Sequence, residues 1–168
     1  SVAANSSYGV DTTAPSISDI TLSFGESLNA TEDNSDGTAT ITTIGVEDGQ
    51  TVTLTIASVN YTGTVSNNSA FIAVPAGDLQ ALSEGANSYA VNVSDAAGNA
   101  AVESTGSFPV DTLAPSISDT SFSFGESLNA TEDNSEGSAT ITTIGVEDGQ
   151  TVTLTIASVN YTGTVSNN

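Results

Sequence analysis

Thr51-Val52-Thr53-Leu54-Thr55-Ile56-Ala57 alternates without a break, with Val52, Leu54 and Ile56 on one parity and Thr51, Thr53 and Thr55 on the other. A period of two puts three aliphatic side chains on one face and three hydroxyls on the opposite face. That is a half-buried strand of an antiparallel sheet. Downstream, 60–65 and 70–75 read as two more short strands, followed by one helical turn at 76–82 with Leu79 and Leu82 three apart. The 87–94 stretch turns Tyr89, Val91 and Val93 inward. A tight turn at 95–99 then leads to a last strand over 100–110.

Upstream, a turn at 45–50 precedes a strand at 38–44, and 25–37 is a long polar turn dense in acid. In 16–24 the alternation slips: Ile17 falls on one parity, Ile20, Leu22 and Phe24 on the other. The slip predicts a bulge or sheet switch near Asp19. Residues 11–15, Asp-Thr-Thr-Ala-Pro, read as a linker. Seven short strands with almost no helix specify an all-β fold, a β-sandwich. Its expected core is Ile41, Val52, Leu54, Ile56, Ile72, Val74, Leu82, Tyr89, Val91, Val93, Phe108 and Val110.

The same stretch returns 100 residues later. Residues 11–68 recur as 111–168 with six changes: Thr13/Leu113, Ile20/Thr120, Thr21/Ser121, Leu22/Phe122, Asp36/Glu136 and Thr38/Ser138. A period of that length is one domain. Residues 1–10 match 101–110 at Val2, Ser7 and Val10, with Tyr8 on Phe108. The expected organisation is therefore a final strand of a preceding repeat at 1–10, a complete repeat at 11–110 and the N-terminal part of the next at 111–168. Near-identical copies in series suit a spacer, which gains length with each copy, better than an enzyme.

Composition supports a non-enzymatic reading. The chain has 20 Asp and Glu and no Lys, Arg or His, for a formal net charge of -20. Nucleic acid and anionic membrane surfaces need clustered cations and are excluded as partners. His or Lys bases, Cys nucleophiles and Arg clamps are also missing. No apolar run is long enough to predict insertion into a membrane. A one-sided charge repels itself in the compact state unless cations offset it. Carboxylates and carbonyls are hard oxygen ligands, which suit calcium.

Three segments carry a resemblance: Val10-Asp11-Thr12-Thr13-Ala14-Pro15, the Leu82-Ser83-Glu84-Gly85 to Tyr89 stretch, and Val93-Ser94-Asp95-Ala96-Ala97-Gly98-Asn99. In this order they resemble bacterial Ig-like domains, the extender repeats of very large Gram-negative adhesins, including the repeats-in-toxin adhesins. The resemblance implies an Ig-like Greek-key sandwich of about seven strands in tandem repeats, secretion to the bacterial cell surface, and calcium-dependent links in a rod that carries distal adhesive domains.

In an Ig-like sandwich the chain comes in beside the second-to-third and sixth-to-seventh strand loops and leaves at the opposite end. The incoming end then gathers Asp11, Glu47, Asp48, Asp95 and Asn99; the outgoing end gathers Glu26, Glu32, Asp33, Asp36 and Glu84. Where 11–110 meets the next copy, Glu32, Asp33, Asp36 and Glu84 are expected to face Asp111, Glu147 and Asp148, with calcium between them and Asp111 as its central ligand. A turn-forming role competes with ligation at Asp11 and Asp111, and an Asx-turn competes at Asp95. Residues 32–37 start like an EF-hand loop, but Thr43 stands where the bidentate Glu belongs. The rival function is a calcium-dependent, lectin-like carbohydrate-binding sandwich; a glycosidase would need aromatic sugar platforms beside paired carboxylates.

Overall fold

The computed structural model describes residues 8–167 and divides into two compact units, Ser1–Thr112 and Leu113–Asn168. In unit 1 the strands are β1 (Ser16–Leu22), β2 (Leu28–Asn29), β3 (Gly37–Ile44), β4 (Thr51–Ile56), β5 (Val59–Thr64), β6 (Ser69–Val74), β7 (Gly85–Val93) and β8 (Ser104–Asp111). A single helical turn, α1 (Ala76–Leu79), joins β6 to β7. One sheet has the order β1-β3-β6, the other β2-β8-β7-β4-β5. Sequence neighbours β5 and β6 are edge strands of different sheets, so the chain passes from one sheet to the other there.

The alternation at 51–56 decides which face of β4 turns inward. Val52, Leu54 and Ile56 are buried while Thr51, Thr53 and Thr55 lie on the outer side. β3 shows the same period, with Ala39, Ile41 and Thr43 inward. Phe108 of β8 closes the centre, its ring 4.9 Å from Phe24 and 6.4 Å from Tyr89. The β1–β3 register shifts between Ile17 and Asp19, where the parity of the sequence slips.

Glycine is required where the chain crosses the sandwich. A Cβ on Gly63 of β5 would sit 2.7 Å from both the Phe71 carbonyl oxygen and Ile72 Cγ1 of β6. Gly106 of β8 plays a like part beneath Tyr89, whose ring would lie 2.4 Å from an added Cβ.

The structure departs from the sequence reading in five places. The 25–37 stretch is not uniformly a polar turn, because Leu28 is fully buried and pairs in parallel with Val110 through β2. A 3-10 turn, Glu32–Asn34, follows it. The last strand begins at Ser104, with Ala100 making only an isolated bridge to Ser94. Leu82 and Tyr89 pack against the core rather than inside it, and Leu79 is the buried leucine of the α1 region. Asp111 is the closing residue of β8, not a linker residue, with Asn29 as its register partner. Of the final strand expected at 1–10, residues 1–7 lie outside the described residues, and residues 8–10 are exposed and form no strand.

Unit 2 contains β9 (Ser116–Phe122), β10 (Ala139–Ile144), β11 (Thr151–Ile156) and β12 (Val159–Thr164), paired as β9 with β10 and β11 with β12. These are the copies of β1, β3, β4 and β5, and β9–β10 repeats the register shift of β1–β3. No helix among the described residues is long and apolar enough to cross a membrane.

The burial difference between the two leucines near α1 is testable. Leu79→Ala should lower the unfolding free energy of unit 1 by about 2–5 kcal/mol, and Leu82→Ala by clearly less. Urea unfolding of both variants compares them, and equal losses would contradict the packing described.

Candidate functional site

The two ends of unit 1 gather the predicted acids by different means. At the incoming end the β3–β4 loop carries Glu47 and Asp48, and the β7–β8 loop carries Asp95 and Asn99. The Asn99 side-chain amide donates to the Asp11 backbone carbonyl (3.2 Å) and to Asp95 Oδ2 (2.8 Å), tying the incoming segment to the β7–β8 loop. Glu47 Oε2 accepts from the Ala96 N–H at 2.8 Å, which joins the two loops. Asp48 Oδ1 accepts from the Asn67 N–H at 2.8 Å.

Two of these acids form turns. Asp95 Oδ1 accepts from the Asn99 N–H at 2.7 Å, and the Gly98 N–H donates to the Asp95 carbonyl at 3.1 Å. Asp11 Oδ1 accepts from the Thr13 N–H at 2.9 Å. The Asp11 bond, two residues on, is an Asx-turn, whereas Asp95 reaches four residues on and closes the β7–β8 turn in place of the Asx-turn expected there. Asp95 is buried, and its carboxyl is held below the usual carboxylate range chiefly by the Asn99 side chain. Burial pulls the other way, and the N–H groups of Asn99, Gly98 and Ala97 add to the lowering.

At the outgoing end, both oxygens of Glu84 accept from the Thr112 N–H at 3.2 Å, and the Thr112 hydroxyl also donates to Glu84. Glu84 thus clasps the chain just after β8. Glu32 reaches back to the Asn29 N–H (3.1 Å), while Asn29 Oδ1 accepts from the N–H groups of Thr31 and Glu32. This reciprocal capping ends beside Asp111, the register partner of Asn29. Asp36 Oδ1 accepts from the Ala76 N–H at 2.9 Å and so caps the start of α1 from a distant loop. Asp33 is buried in the 3-10 turn.

In unit 2, Glu147 and Asp148 occupy the exposed β10–β11 turn. Among the described residues no group of three His, Cys, Asp or Glu side chains is placed to hold a metal ion. The donors fit calcium by chemistry, since all are hard oxygens, but Glu47, Asp48, Asp95 and Asp11 at the incoming end already accept backbone N–H groups.

Among the described residues of unit 1, Asp19 is the only acid inside a strand. The others lie in loops and short helical turns or, like Asp111, at the closing residue of a strand.

No protein-family profile and no curated protein matches the sequence. Solved structures do. A 1.5-MDa bacterial ice-binding adhesin, studied for its retention at a host cell surface, is 29% identical over 90% of this chain and 50% of its own, with a TM-score of 0.56. A Ca2+-stabilized adhesin with which an Antarctic bacterium reaches out and binds ice is 33% identical over 94% of this chain and 40% of its own, at 0.48. A bacterial immunoglobulin-like domain of the M. primoryensis ice-binding adhesin is 35% identical over 55% of this chain and 95% of its own, at 0.40. The chain therefore spans half or less of the length of the first two of these structures.

Sheet topology and sequence together define an immunoglobulin-like β-sandwich in tandem copies. The 29% identity to the 1.5-MDa adhesin over 90% of this chain, at a TM-score of 0.56, narrows the class further. The chain belongs to the bacterial Ig-like repeats of large adhesins.

The Asp95–Asn99 pair gives a pH prediction. Asp95 is depressed in the folded state, so its stabilising effect is complete above the ordinary carboxylate pKa of about 3.9 and is lost as pH falls through the lower folded value. Asn99→Ala should therefore cost most stability at pH 7, and its gap from the unmodified chain should narrow below about pH 4. Urea unfolding at pH 7 and pH 3 measures this. A gap independent of pH would mean that Asn99 acts through the Asp11 carbonyl alone.

Proposed function

We propose that this chain is an extender segment of a giant adhesin secreted to the bacterial cell surface: Ig-like domains in series, stiffened by calcium where one repeat meets the next, that hold adhesive domains away from the cell. The supporting observation is the segregation of acids to the ends of unit 1, in a chain with no basic side chain. Sandwich faces that carry few charges need no counter-ion. Ends that bring like charges together in every copy do.

The outgoing end offers Glu84, Asp111, Glu32, Asp33 and Asp36, and the incoming end of each following copy repeats the Glu47 and Asp48 pair, here Glu147 and Asp148. Bound calcium supplies a divalent charge and six to eight oxygen coordination positions. The protein residues do the rest. Glu84 already holds Thr112 against β8, Asp111 is fixed in a strand ladder, and Glu32 is fixed by its capping pair.

Calcium should raise the thermal midpoint of the full chain, with a gain of about 2.7 kcal/mol at a free concentration 100 times the dissociation constant. X-ray scattering should show a longer, stiffer particle with calcium than with a chelator. Asp111→Asn and Glu84→Gln should each weaken the response. Identical midpoints and dimensions with calcium and chelator would overturn the proposal.

A further inference from the structure

The edge of a sheet presents a row of unpaired N–H and C=O groups, and proteins blunt such edges with charge, proline, bulges or a covering segment. In unit 1 the terminal strands are β1 and β6 of one sheet and β2 and β5 of the other. β1 carries a register shift and Asp19. β2 is two residues long and caps β8, which contains Pro109. β6 lies against β5, where a Cβ on Gly63 would sit 2.7 Å from the Phe71 carbonyl oxygen. β5 itself has none of these devices. It runs over six residues without proline or acid and pairs with β4 without a register shift.

The ladder shows which groups of β5 face outward. The Val65 N–H donates to the Gln50 carbonyl at 2.8 Å, so the adjoining Thr51–Thr64 pair is of the non-hydrogen-bonded kind. Alternation makes Thr53–Thr62 and Thr55–Asn60 pairs of the same kind. The backbone N–H and C=O groups of Asn60, Thr62 and Thr64 therefore point away from β4, and all three residues are exposed.

This edge is also neutral. No acid occurs from Gly49 to Gly77, a run that takes in β4, β5 and β6. The acids that bound the run are held internally, Asp48 by the Asn67 N–H and Asp78 by the Tyr61 hydroxyl. In a chain of formal net charge -20, an identical molecule can meet β5 without bringing charge against charge inside the contact. A cationic partner would be drawn to the acidic ends instead.

From these features we propose that β5 is a pairing edge, and that its occupant is β5 of a second copy of this chain, running antiparallel about a twofold axis at Thr62. That axis sets Thr62 opposite Thr62 of the second copy, and Asn60 opposite its Thr64. Each outward-facing residue then meets another outward-facing residue and exchanges both backbone bonds with it. A slip by one residue would set outward-facing groups against groups already bonded to β4. The contact is self-complementary, as a twofold interface must be. Acids around the edge still repel at longer range, so added salt strengthens the contact by screening them. Residues 159–164 repeat the same six residues, so one chain carries the edge twice.

Sedimentation of the full chain in chelator, which excludes bridging by calcium, tests the proposal. Reversible self-association should appear and should increase as NaCl is raised from about 0.05 to about 0.5 M. In concentrated solution the amides of Asn60, Thr62 and Thr64 should exchange hydrogen more slowly than in dilute solution. Thr62→Pro with Thr162→Pro removes an outward N–H from each edge, a position where an edge strand tolerates proline. Thr62→Glu with Thr162→Glu leaves the backbone intact and sets like charges together at the axis. Each pair of substitutions should weaken association about tenfold or more, with unchanged circular dichroism for the Glu pair at least. A chain that stays monomeric at about 1 mM, association that falls with salt, association that the Glu pair leaves unchanged, or slowed exchange that omits β5 would each overturn the proposal.

Discussion

The sandwich depends on one half of the repeat closing over the other. β3 and β4 come from the first half, and each is paired on its outer edge by a strand of the second. Phe108 is the centre of that closure, a second-half ring packed beside first-half Phe24 and second-half Tyr89. With a modest core and no disulfide, this apolar contact is the main source of cohesion. The clearance at Gly63 serves it, because the chain must pass from one sheet to the other within a backbone's thickness of β5.

Charge works against this closure and is kept away from it. Apart from Asp19 in β1, the acids of the described residues of unit 1 lie in loops, in short helical turns or at the end of β8, and internal N–H donors partner several of them. Glu47, Asp48, Asp95, Asp36 and Glu32 each accept a backbone N–H, and each bond ties one loop residue to another or to the start of an element. Charge-assisted bonds of this kind are stronger than neutral ones. The acids therefore hold the loops together locally even while they repel one another at longer range.

Most of the fold could be read from the sequence because its signals are periodic. Val52, Leu54 and Ile56 announced β4, and the slip between Ile17 and Ile20 announced the irregularity at Asp19. Leu28 could not be read that way, since a single leucine in an acidic loop has no period. Its burial comes from a two-residue pairing with β8, more than 80 residues later in sequence. Leu79 and Leu82 share one spacing, and only the end of α1 decides between them. Among the site residues, Asp11 and Asp95 showed their turns through the residues that follow them. The link from Asp36 to Ala76 is tertiary and has no local signature.

The placement of the two chain connections has a mechanical consequence. The chain meets the sandwich at β1 and leaves it at β8, at opposite ends, and Glu84 fastens the residue after β8. Tension along the chain then pulls β1 along β3 and β8 along β7. Hydrogen bonds in antiparallel ladders run perpendicular to the strands, so this pull shears many of them together rather than opening them one at a time. Unit 1 is thus arranged to resist stretching along its own axis.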